Sequence, residues 1–412
     1  MMYAAEPAEA RIDDAGNLLV APSTLQDHDV ARDFFGSTIT PDQLTSGSCD
    51  LAQKTVYLCG DVSKISGRQL RTAARVFVVR ELSPGYREAI DSSWTPVGLG
   101  RVPLGVHGVG VHYRRYFDLD GDHFTRIRTE HAFQSLTEST KPGTAHRSGI
   151  YLTPVTQDGG ALHFRLLRCS TNLSGPTETF RPTDMQIVEA LNREAAAVFR
   201  NHAPLNHVLA QIYHNTLATT ERKQAKAKIS AHADKTKDMP ANGIMAFCTF
   251  YDRLDQLQPL AKDVFDYGVK GVSALTRLRF RLKEKEAAAD SNENALPQQF
   301  SVTLYPGSVF MMPLSTNRLY THEIRPSALN AELLPTRLGY VVRCSNTKAV
   351  HKNGNTHLKV AGRLRPLEPP TPAGTDELRR LYAEENRTSS LIHYDDDFLF
   401  SMNSGDYLAP RI

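Results

Sequence analysis

The fold of this chain is decided by residues 307–347, GSVFMMPLSTNRLYTHEIRPSALNAELLPTRLGYVVRCSNT. The stretch predicts three short β-strands separated by turn residues: VFMMPL is apolar, RLYTHEI alternates, and TRLGYVVRCS is an apolar run that carries two arginines. Because side chains alternate along a strand, Arg337, Gly339 and Arg343 share one face of the last strand and Tyr340 lies on the other. Both arginines therefore point the same way.

These paired arginines indicate a ligand or buried acids. A guanidinium among apolar neighbours is costly unless an anion pairs with it, and its planar fork matches a carboxylate at two points. Arg337 and Arg343 therefore predict a bound dicarboxylate or two buried acids. Six residues of strand span ~20 Å, so both reach one small ligand only if their arms lean together or the strand bends; otherwise one orients a neighbouring side chain. The alternative is an exposed edge strand with solvated arginines.

Upstream, the stretch ISAHADKTKD places His232 and Asp234 two positions apart, straight after a β-favouring residue. Two histidines and one carboxylate can hold a non-haem Fe(II) on one side and leave positions for a co-substrate and O₂. His-x-Asp by itself is more often a surface histidine beside a turn aspartate. His322 in the downstream strand supplies a third ligand. We therefore predict a metal site of these three residues, with Arg337 and Arg343 at the two ends of 2-oxoglutarate.

The order of these parts resembles the AlkB-like branch of the Fe(II)/2-oxoglutarate dioxygenases. That branch has an Asn-x-Tyr strand, then His-x-Asp, then a G-D-V…R-L-x-x-H-x-I segment, then R-x5-R. The corresponding segments here are NHVLAQIY at 206–213, HAD at 232–234, GSVFMMPLSTNRLYTHEI at 307–324 and RLGYVVR at 337–343. The spacing from the distal histidine to the first arginine is also similar to the TET/JBP branch, which oxidises methylated pyrimidines.

The resemblance implies an α+β chain whose double-stranded β-helix (jelly-roll) core has flanking helices and an N-terminal α/β extension. It also implies Fe(II), 2-oxoglutarate and O₂, with room for ascorbate as a reductant, and Tyr213 as a further co-substrate contact. Gln211 stands where the branch has asparagine, which makes it a second such contact. The acidic residue of base recognition usually follows the metal aspartate closely, whereas here KTK separates Asp234 from Asp238. Asp238 and Arg318 are candidate substrate contacts.

The composition is that of an ordinary globular protein, with 41% hydrophobic residues. No apolar run approaches the ~18 residues of a membrane span, and the first residues, MMYAAEPAEARIDDAG, lack an apolar leader. We therefore expect an intracellular protein, nuclear or cytoplasmic and not secreted, with no membrane partner. Five cysteines without C-x-x-C spacing predict neither a disulfide framework nor a zinc site.

Basic residues cluster in two places, although the net charge is only +3. The segment ERKQAKAKIS, which includes Lys228, predicts a lysine-rich approach to the metal motif. TRLRFRLKEK at 276–285 predicts a half-buried strand whose Arg277, Arg279 and Arg281 form one basic face. Such a face could follow a phosphate backbone, which would make DNA or RNA a partner. The alternative is a strand edge guarded by charge.

The chain is predicted to have three parts. Residues 1–145 form an N-terminal extension of unknown role, in which KTVYLCGDVS and ARVFVVREL are strands. Residues 146–350 form the dioxygenase core, with a capped helix at 183–203 and an insertion at about 253–298. Residues 351–412 form a C-terminal linker, a short helix and an acidic tail.

Together these patterns predict a dioxygenase that hydroxylates or oxidatively demethylates a modified base in DNA or RNA, of the 5-methylcytosine or N-methyl type. A 2-oxoglutarate-dependent hydroxylase of a small metabolite or a protein side chain is the alternative. A third class, a silent binding module that kept the fold, is disfavoured by the intact metal triad and both arginines. The substrate itself and the oligomeric state do not follow from the sequence.

Overall fold

The computed structural model describes residues 8–47, 49–89, 91–136, 146–168, 173–283, 296–394 and 398–412. The α-helices in these ranges are α1 (Asp29–Asp33), α2 (Pro41–Thr45), α3 (Tyr86–Ala89), α4 (His123–Glu130), α5 (Pro182–Val198), α6 (Leu314–Leu319) and α7 (Pro372–Arg387). In the part of the chain that is described, no helix is long and apolar enough to cross a membrane.

Five of the first six strands build a parallel sheet. The six strands are β1 (Arg11–Ile12), β2 (Asn17–Val20), β3 (Ser37–Ile39), β4 (Thr55–Leu58), β5 (Arg75–Val79) and β6 (Thr95–Val97). Strands β2 to β6 pair in parallel in the order β3-β2-β4-β5-β6. Leu18 joins an apolar cluster on one face of this sheet and Leu19 joins one on the other. Burial on both faces explains why β2 and β4 are continuous apolar runs.

The other strands follow in antiparallel sheets. They are β7 (Leu104–Val106), β8 (Gly110–Tyr113), β9 (Gln134–Ser135), β10 (His146–Leu152), β11 (Thr156–Asp158), β12 (Ala161–Leu166), β13 (Phe199–Arg200), β14 (His207–His214), β15 (Ile229–His232), β16 (Ile244–Tyr251), β17 (Gln258–Leu260), β18 (Asp263–Val269), β19 (Val272–Ser273), β20 (Arg277–Leu282), β21 (Gln299–Thr303), β22 (Val309–Pro313), β23 (Tyr320–Arg325), β24 (Arg337–Arg343), β25 (Thr347–Lys352), β26 (Asn355–Val360) and β27 (Arg363–Pro366).

The largest sheet has eight strands in the order β7-β8-β22-β16-β24-β14-β10-β9. Strand β24 lies inside it, paired with β14 and β16, and its faces divide as the alternation predicts. Leu338, Tyr340 and Val342 enter the apolar core, to which helix α5 contributes Ile187 and Leu191. The opposite face of β24 lines a cavity.

A four-stranded sheet, in the order β15-β23-β20-β21, forms the other wall of that cavity. From β14 to β24 the chain crosses between the two sheets: β14, β16, β22 and β24 belong to the larger one, and β15, β20, β21 and β23 to the smaller. The last three strands, β22, β23 and β24, each pair antiparallel with strands that precede them in the chain. The two sheets are therefore interleaved in sequence and cannot be separate domains.

The structure corrects the predicted part boundaries. Strands β7 and β8, predicted to lie in the extension, pair into the large sheet, so the core begins well before residue 146. Strand β20, predicted to lie in the insertion, pairs with β23. The described insertion is the small sheet β17-β18-β19, and residues 284–295 lie outside the described part. The predicted helix at 183–203 ends at Val198 because Phe199 and Arg200 pair with β1.

The C-terminal part is not a linker. Strands β25, β26 and β27 extend a five-stranded sheet that begins with β11 and β12. The tail docks on the core: Arg411 forms an ion pair of 3.1 Å with Glu178. Helix α7 packs against the loop that follows β15, which places it beside the cavity.

Candidate metal site and the adjoining cavity

Two paired strands bring the three predicted metal ligands together. His232 ends β15 and stands directly opposite His322 in β23, and opposite residues of an antiparallel pair have neighbouring side chains. Their rings are 4.5 Å apart between centroids. The Oδ1 atom of Asp234 lies 3.4 Å from His232 Nε2 and 3.8 Å from His322 Nε2. One ligand atom from each residue thus lies within 4.8 Å of the others.

Hydrogen bonds hold His232 and the loop after β15, which carries Asp234, in place. His232 Nδ1 contacts the Ser230 carbonyl at 2.9 Å, which leaves Nε2 directed at Asp234. The side chain of Asn317 clamps the backbone of Asp234, accepting from its N–H at 2.8 Å and donating to its carbonyl at 2.9 Å. Nothing in the sequence indicated Asn317, because its role depends on α6 packing beside the loop.

The local electrostatics favour a neutral His322 and an ionised Asp234. Burial, together with the neighbouring His232, lowers the pKa of His322 to about 3. Burial would raise the pKa of Asp234, but the charge of Arg343 and the hydrogen bond from His232 hold it well below its usual range. Neutral imidazole and ionised carboxylate are the forms that bind a metal ion. In the described part of the chain, His322 Nδ1 has no hydrogen-bond partner.

The two arginines of β24 lie on the same side of the strand, as predicted, but have different surroundings. Arg343 donates to Asp234 Oδ2 from Nε at 2.9 Å and from Nη2 at 2.5 Å. It therefore orients Asp234, the alternative that the strand length left open. Arg337 lies at the other end, 4% exposed and 3.7 Å above the ring of Tyr213. Its Nε and Nη2 have no hydrogen-bond partner among the described residues.

A glycine makes room for Arg337. A Cβ atom at Gly339 would lie 2.9 Å from Arg337 Nη1 and 3.3 Å from the ring of Tyr213. Gln211 accepts a hydrogen bond of 3.3 Å from the hydroxyl of Tyr213. Tyr213, Gln211 and Arg337 thus form one polar wall.

The three predicted metal ligands and this polar wall open into one cavity of about 570 Å³. Leu209, Phe247, Val341 and Ile324 supply apolar surface between the two ends. Its lining carries several cationic side chains, contributed by Arg147, Lys228, Lys235, Arg337 and Arg343. Among the described lining residues, Asp234 is the one acidic side chain. Lys228 is the predicted substrate contact that this cavity includes.

The other predicted substrate contacts lie elsewhere. Arg318 forms an ion pair of 2.7 Å with Glu9. Asp238 is buried and accepts from Arg168 at 2.7 Å and from Lys237 at 3.2 Å. Burial would raise its pKa, but these two cations hold the pKa well below the usual range. Asp238 is therefore a structural carboxylate, and the cavity does not include it.

The predicted basic strand is half-buried, as its pattern indicated. Its alternate residues Leu278, Phe280 and Leu282 are buried, while Arg277 and Arg281 are exposed on the face that points away from the cavity. Arg279 lies between them, 3.7 Å from Glu323. Arg277 stands directly opposite Arg325 of β23. Opposed like charges weaken a sheet, so this pairing has a cost in stability.

No protein-family model matches this chain, and no curated protein matches it. Similarity is found to the solved structure of OsALKBH1, at 14% identity over 59% of this chain and 99% of that one, with a TM-score of 0.33. A bsmA homologue from Methylobium petroleophilum PM1 has 15% identity over 55% and 82%, with a TM-score of 0.28. The non-heme alpha ketoglutarate dependent epimerase SnoN from nogalamycin biosynthesis has 13% identity over 64% and 91%, with a TM-score of 0.29.

All three identities are 15% or lower and all three TM-scores are 0.33 or lower, so we infer the function from the geometry of the site.

Proposed function

We propose that this chain is an Fe(II)- and 2-oxoglutarate-dependent dioxygenase. The observation that carries the proposal is one cavity with two complementary ends. At one end two histidines converge on the ionised Asp234, and at the other Arg337 is buried with donors that have no partner among the described residues. The interleaved strand order of the two sheets supports a double-stranded β-helix core.

The residues at the first end fit Fe(II). Two imidazoles and one carboxylate on one side of the ion are the ligand set of non-haem Fe(II) oxygenases, and the remaining positions face the cavity. The pairing of Arg343 with Oδ2 leaves Oδ1 of Asp234 directed at both histidines. A bound Fe(II) would supply the one-electron chemistry by which O₂ converts 2-oxoglutarate to succinate and CO₂ and a substrate C–H to C–OH.

The chain's own residues bind, orient and exclude water. Arg337 pairs with the distal carboxylate of 2-oxoglutarate, because a buried guanidinium without an anion is costly. Tyr213 supports its guanidinium from below, and Gln211 fixes the Tyr213 hydroxyl. Phe247 and Val341 keep the space between the two ends apolar. These contacts hold the co-substrate at one orientation towards the triad.

We further propose that the substrate is a modified base in DNA or RNA, hydroxylated or demethylated at its methyl group. The predominance of cationic over acidic lining residues supports an anionic substrate. The opposed Arg277 and Arg325 on the outer face support contact with a phosphate backbone. The same cationic lining favours an acidic metabolite as the alternative over a cationic side chain such as methyl-lysine.

The test is succinate release from protein loaded anaerobically with Fe(II) and then exposed to O₂, 2-oxoglutarate and a panel of methylated oligonucleotides, nucleosides, acidic metabolites and amino acids. We expect succinate and a product heavier by one oxygen, or lacking one methyl group, with an oligonucleotide. His232→Ala should abolish turnover while the fold remains. Turnover that survives in His232→Ala would overturn the dioxygenase assignment. If a metabolite supports succinate release and none of the oligonucleotides does, the nucleic-acid assignment is overturned.

A further inference from the structure

The C-terminal helix α7 is bonded to the loop that carries Asp234. The N–H of Ala233, a residue 1% exposed, donates to Asn386 Oδ1 at 2.7 Å. The N–H of Thr236 donates to Glu385 Oε1 at 3.1 Å, and its hydroxyl donates to the same oxygen. The two bonds donated by backbone N–H groups bracket Asp234. A buried backbone N–H that loses its partner costs on the order of 1–3 kcal/mol, so the loop depends on the helix.

A buried lysine connects the end of α7 to the other side of the same loop. Lys283 Nζ donates to the carbonyls of Glu385 at 2.6 Å and Thr388 at 3.0 Å, and it approaches the carbonyl of Asn317 at 3.4 Å. A cation at these last carbonyls is favourable at a helix C-terminus. Asn317 in turn clamps the backbone of Asp234. Helix α7 and helix α6 thus hold the loop from two sides.

The same helix reaches the cavity. Tyr382 lines it, accepts a hydrogen bond of 2.9 Å from Lys235 Nζ at its carbonyl, and donates its hydroxyl to the Arg168 carbonyl at 3.1 Å. Lys235 Nζ also lies 5.2 Å from the centroid of the Tyr382 ring. The hydroxyl bond and the lysine contact therefore hold the ring in the cavity wall.

We infer that α7 completes the active site. Asn386 and Glu385 are positioning residues that hold the backbone on both sides of Asp234, and Tyr382 limits the space open to the substrate. The inference rests on the proposed function, because the position of Asp234 matters to chemistry through the metal ion that it binds. A supporting group one shell away from a ligand typically affects metal affinity by about 10–100-fold.

The experiment measures Co(II) affinity of the full chain, as a redox-stable probe of the Fe(II) site, by anaerobic titration with visible absorption. Asn386→Leu keeps the size of the side chain and removes its acceptor, whereas Asn386→Asp keeps an acceptor. Thr236→Val tests the same loop from its other end. Arg379→Ala, an exposed position on the same helix, is the matched control. Thermal unfolding of each variant confirms that it is folded.

We expect Co(II) affinity to fall about 10–100-fold in Asn386→Leu and Thr236→Val, and to be kept in Asn386→Asp and Arg379→Ala. Wild-type affinity in folded Asn386→Leu and Thr236→Val would overturn the positioning role. If Asn386→Leu does not fold, Thr236→Val alone decides. Wild-type protein whose Co(II) binding is absent, or is unaffected by His322→Ala, would instead overturn the proposed metal site and this inference with it.

Discussion

Arg337 and Arg343 share one face of β24, but their side chains have different partners. Arg343 finds the carboxylate of Asp234, and the pair satisfies part of the charge of each. Arg337 stacks on Tyr213, and its Nε and Nη2 remain without a partner in the described part of the chain. Replacing Arg337 should therefore weaken binding of the co-substrate, and replacing Arg343 should weaken binding of the metal ion.

Arg337→Gln should raise the apparent KM for 2-oxoglutarate by about 10–100-fold, because a charge-assisted pair contributes about 1.5–3 kcal/mol. Its Co(II) affinity in the absence of 2-oxoglutarate should be unchanged, since Arg337 is remote from Asp234. Steady-state succinate release at varied 2-oxoglutarate, with a separate Co(II) titration, measures both.

Arg343→Gln is the matched comparison and should show the reverse pattern. Loss of its ion pair frees Asp234 to rotate, so Co(II) affinity should fall even without 2-oxoglutarate. If instead both variants change only the KM for 2-oxoglutarate, the two arginines hold the co-substrate together and the division of roles is wrong.

The convergence of His232, Asp234 and His322 could be predicted from the sequence, because the two histidines lie on strands that pair and Asp234 follows His232 by two residues. The alternation of β24 likewise predicted the shared face of the two arginines. The partner of Arg343 could not be predicted, since it depends on how the loop after β15 approaches β24. Asn317 and Asn386 were missed for the same reason: each acts through backbone contacts with a loop that is distant in sequence.

At the scale of elements, α7 was predicted as a short helix without a role. It has few apolar residues on one side, and its side chains accept hydrogen bonds from the backbone of the loop that carries Asp234. The hydrophobic periodicity of α7 therefore does not indicate where the helix packs. The strands of the core were predicted well because buried strands and alternating strands have distinct patterns. Tyr382 is the residue through which α7 contacts the cavity, so its replacement tests the role of the helix.

Tyr382→Ala should open the cavity wall and admit water and larger substrates. We expect a higher ratio of succinate formed to substrate oxidised, because the co-substrate then reacts without a well-placed C–H bond. Tyr382→Phe keeps the ring and loses only the bond to the Arg168 carbonyl, so its ratio should stay close to that of the wild type. The measurement compares succinate and product from one reaction. Equal ratios in all three proteins would show that Tyr382 does not bound the substrate space.

A second cluster ties helices α4 and α5 to the C-terminal tail. His131 is buried between Glu178, 3.0 Å from Nδ1, and Asp184, 2.7 Å from Nε2. Together with Glu130 it forms a group that could hold a metal ion, but both ring nitrogens already have carboxylate partners. We therefore assign it a structural role. Burial lowers the pKa of His131, and the two carboxylates more than offset this, raising it to about 9.

The raised pKa of His131 predicts a loss of stability in mild alkali. Since the folded pKa is above the unfolded value of about 6.5, the stabilisation is complete below that pH and disappears as pH rises through about 9. The loss should be roughly 3 kcal/mol. Urea unfolding at pH 6 and pH 9.5 measures it. His131→Gln should be less stable at pH 6 and should lose less stability between these two values; an equal loss in both proteins would assign the effect to other groups.

At the scale of the whole molecule, the predicted boundaries failed because the core recruits strands from both flanks. Strands β7 and β8 complete the large sheet from the N-terminal side, and α7 contributes Tyr382 to the cavity wall from the C-terminal side. Such pairings join residues far apart in the chain. The changes in composition near residues 146 and 351 therefore do not predict which strands belong to the core. The parallel N-terminal sheet is attached to this body by an ion pair of 2.9 Å between Arg75 and Glu194.

We propose the outer face of the four-stranded sheet β15-β23-β20-β21 as the surface that binds nucleic acid. Arg277, Arg279 and Arg281 share this face with Arg325, and Glu323 offsets part of their charge. Contact with phosphates would relieve the repulsion between opposed arginines and so stabilise the strand pair. Each phosphate contact makes the negative slope of log K against log salt steeper by about 0.9.

Replacing Arg277, Arg279 and Arg281 by glutamine should therefore weaken oligonucleotide binding and reduce that slope by about 2–3. The control replaces three exposed cations of another sheet: Lys359, Arg363 and Arg365. Fluorescence anisotropy across a series of salt concentrations measures both variants. An unchanged slope in the first variant, or an equal reduction in the control, would rule out the four-stranded sheet as the binding face. Succinate release with free nucleosides should be the same in both variants and the wild type, because neither set of residues lines the cavity.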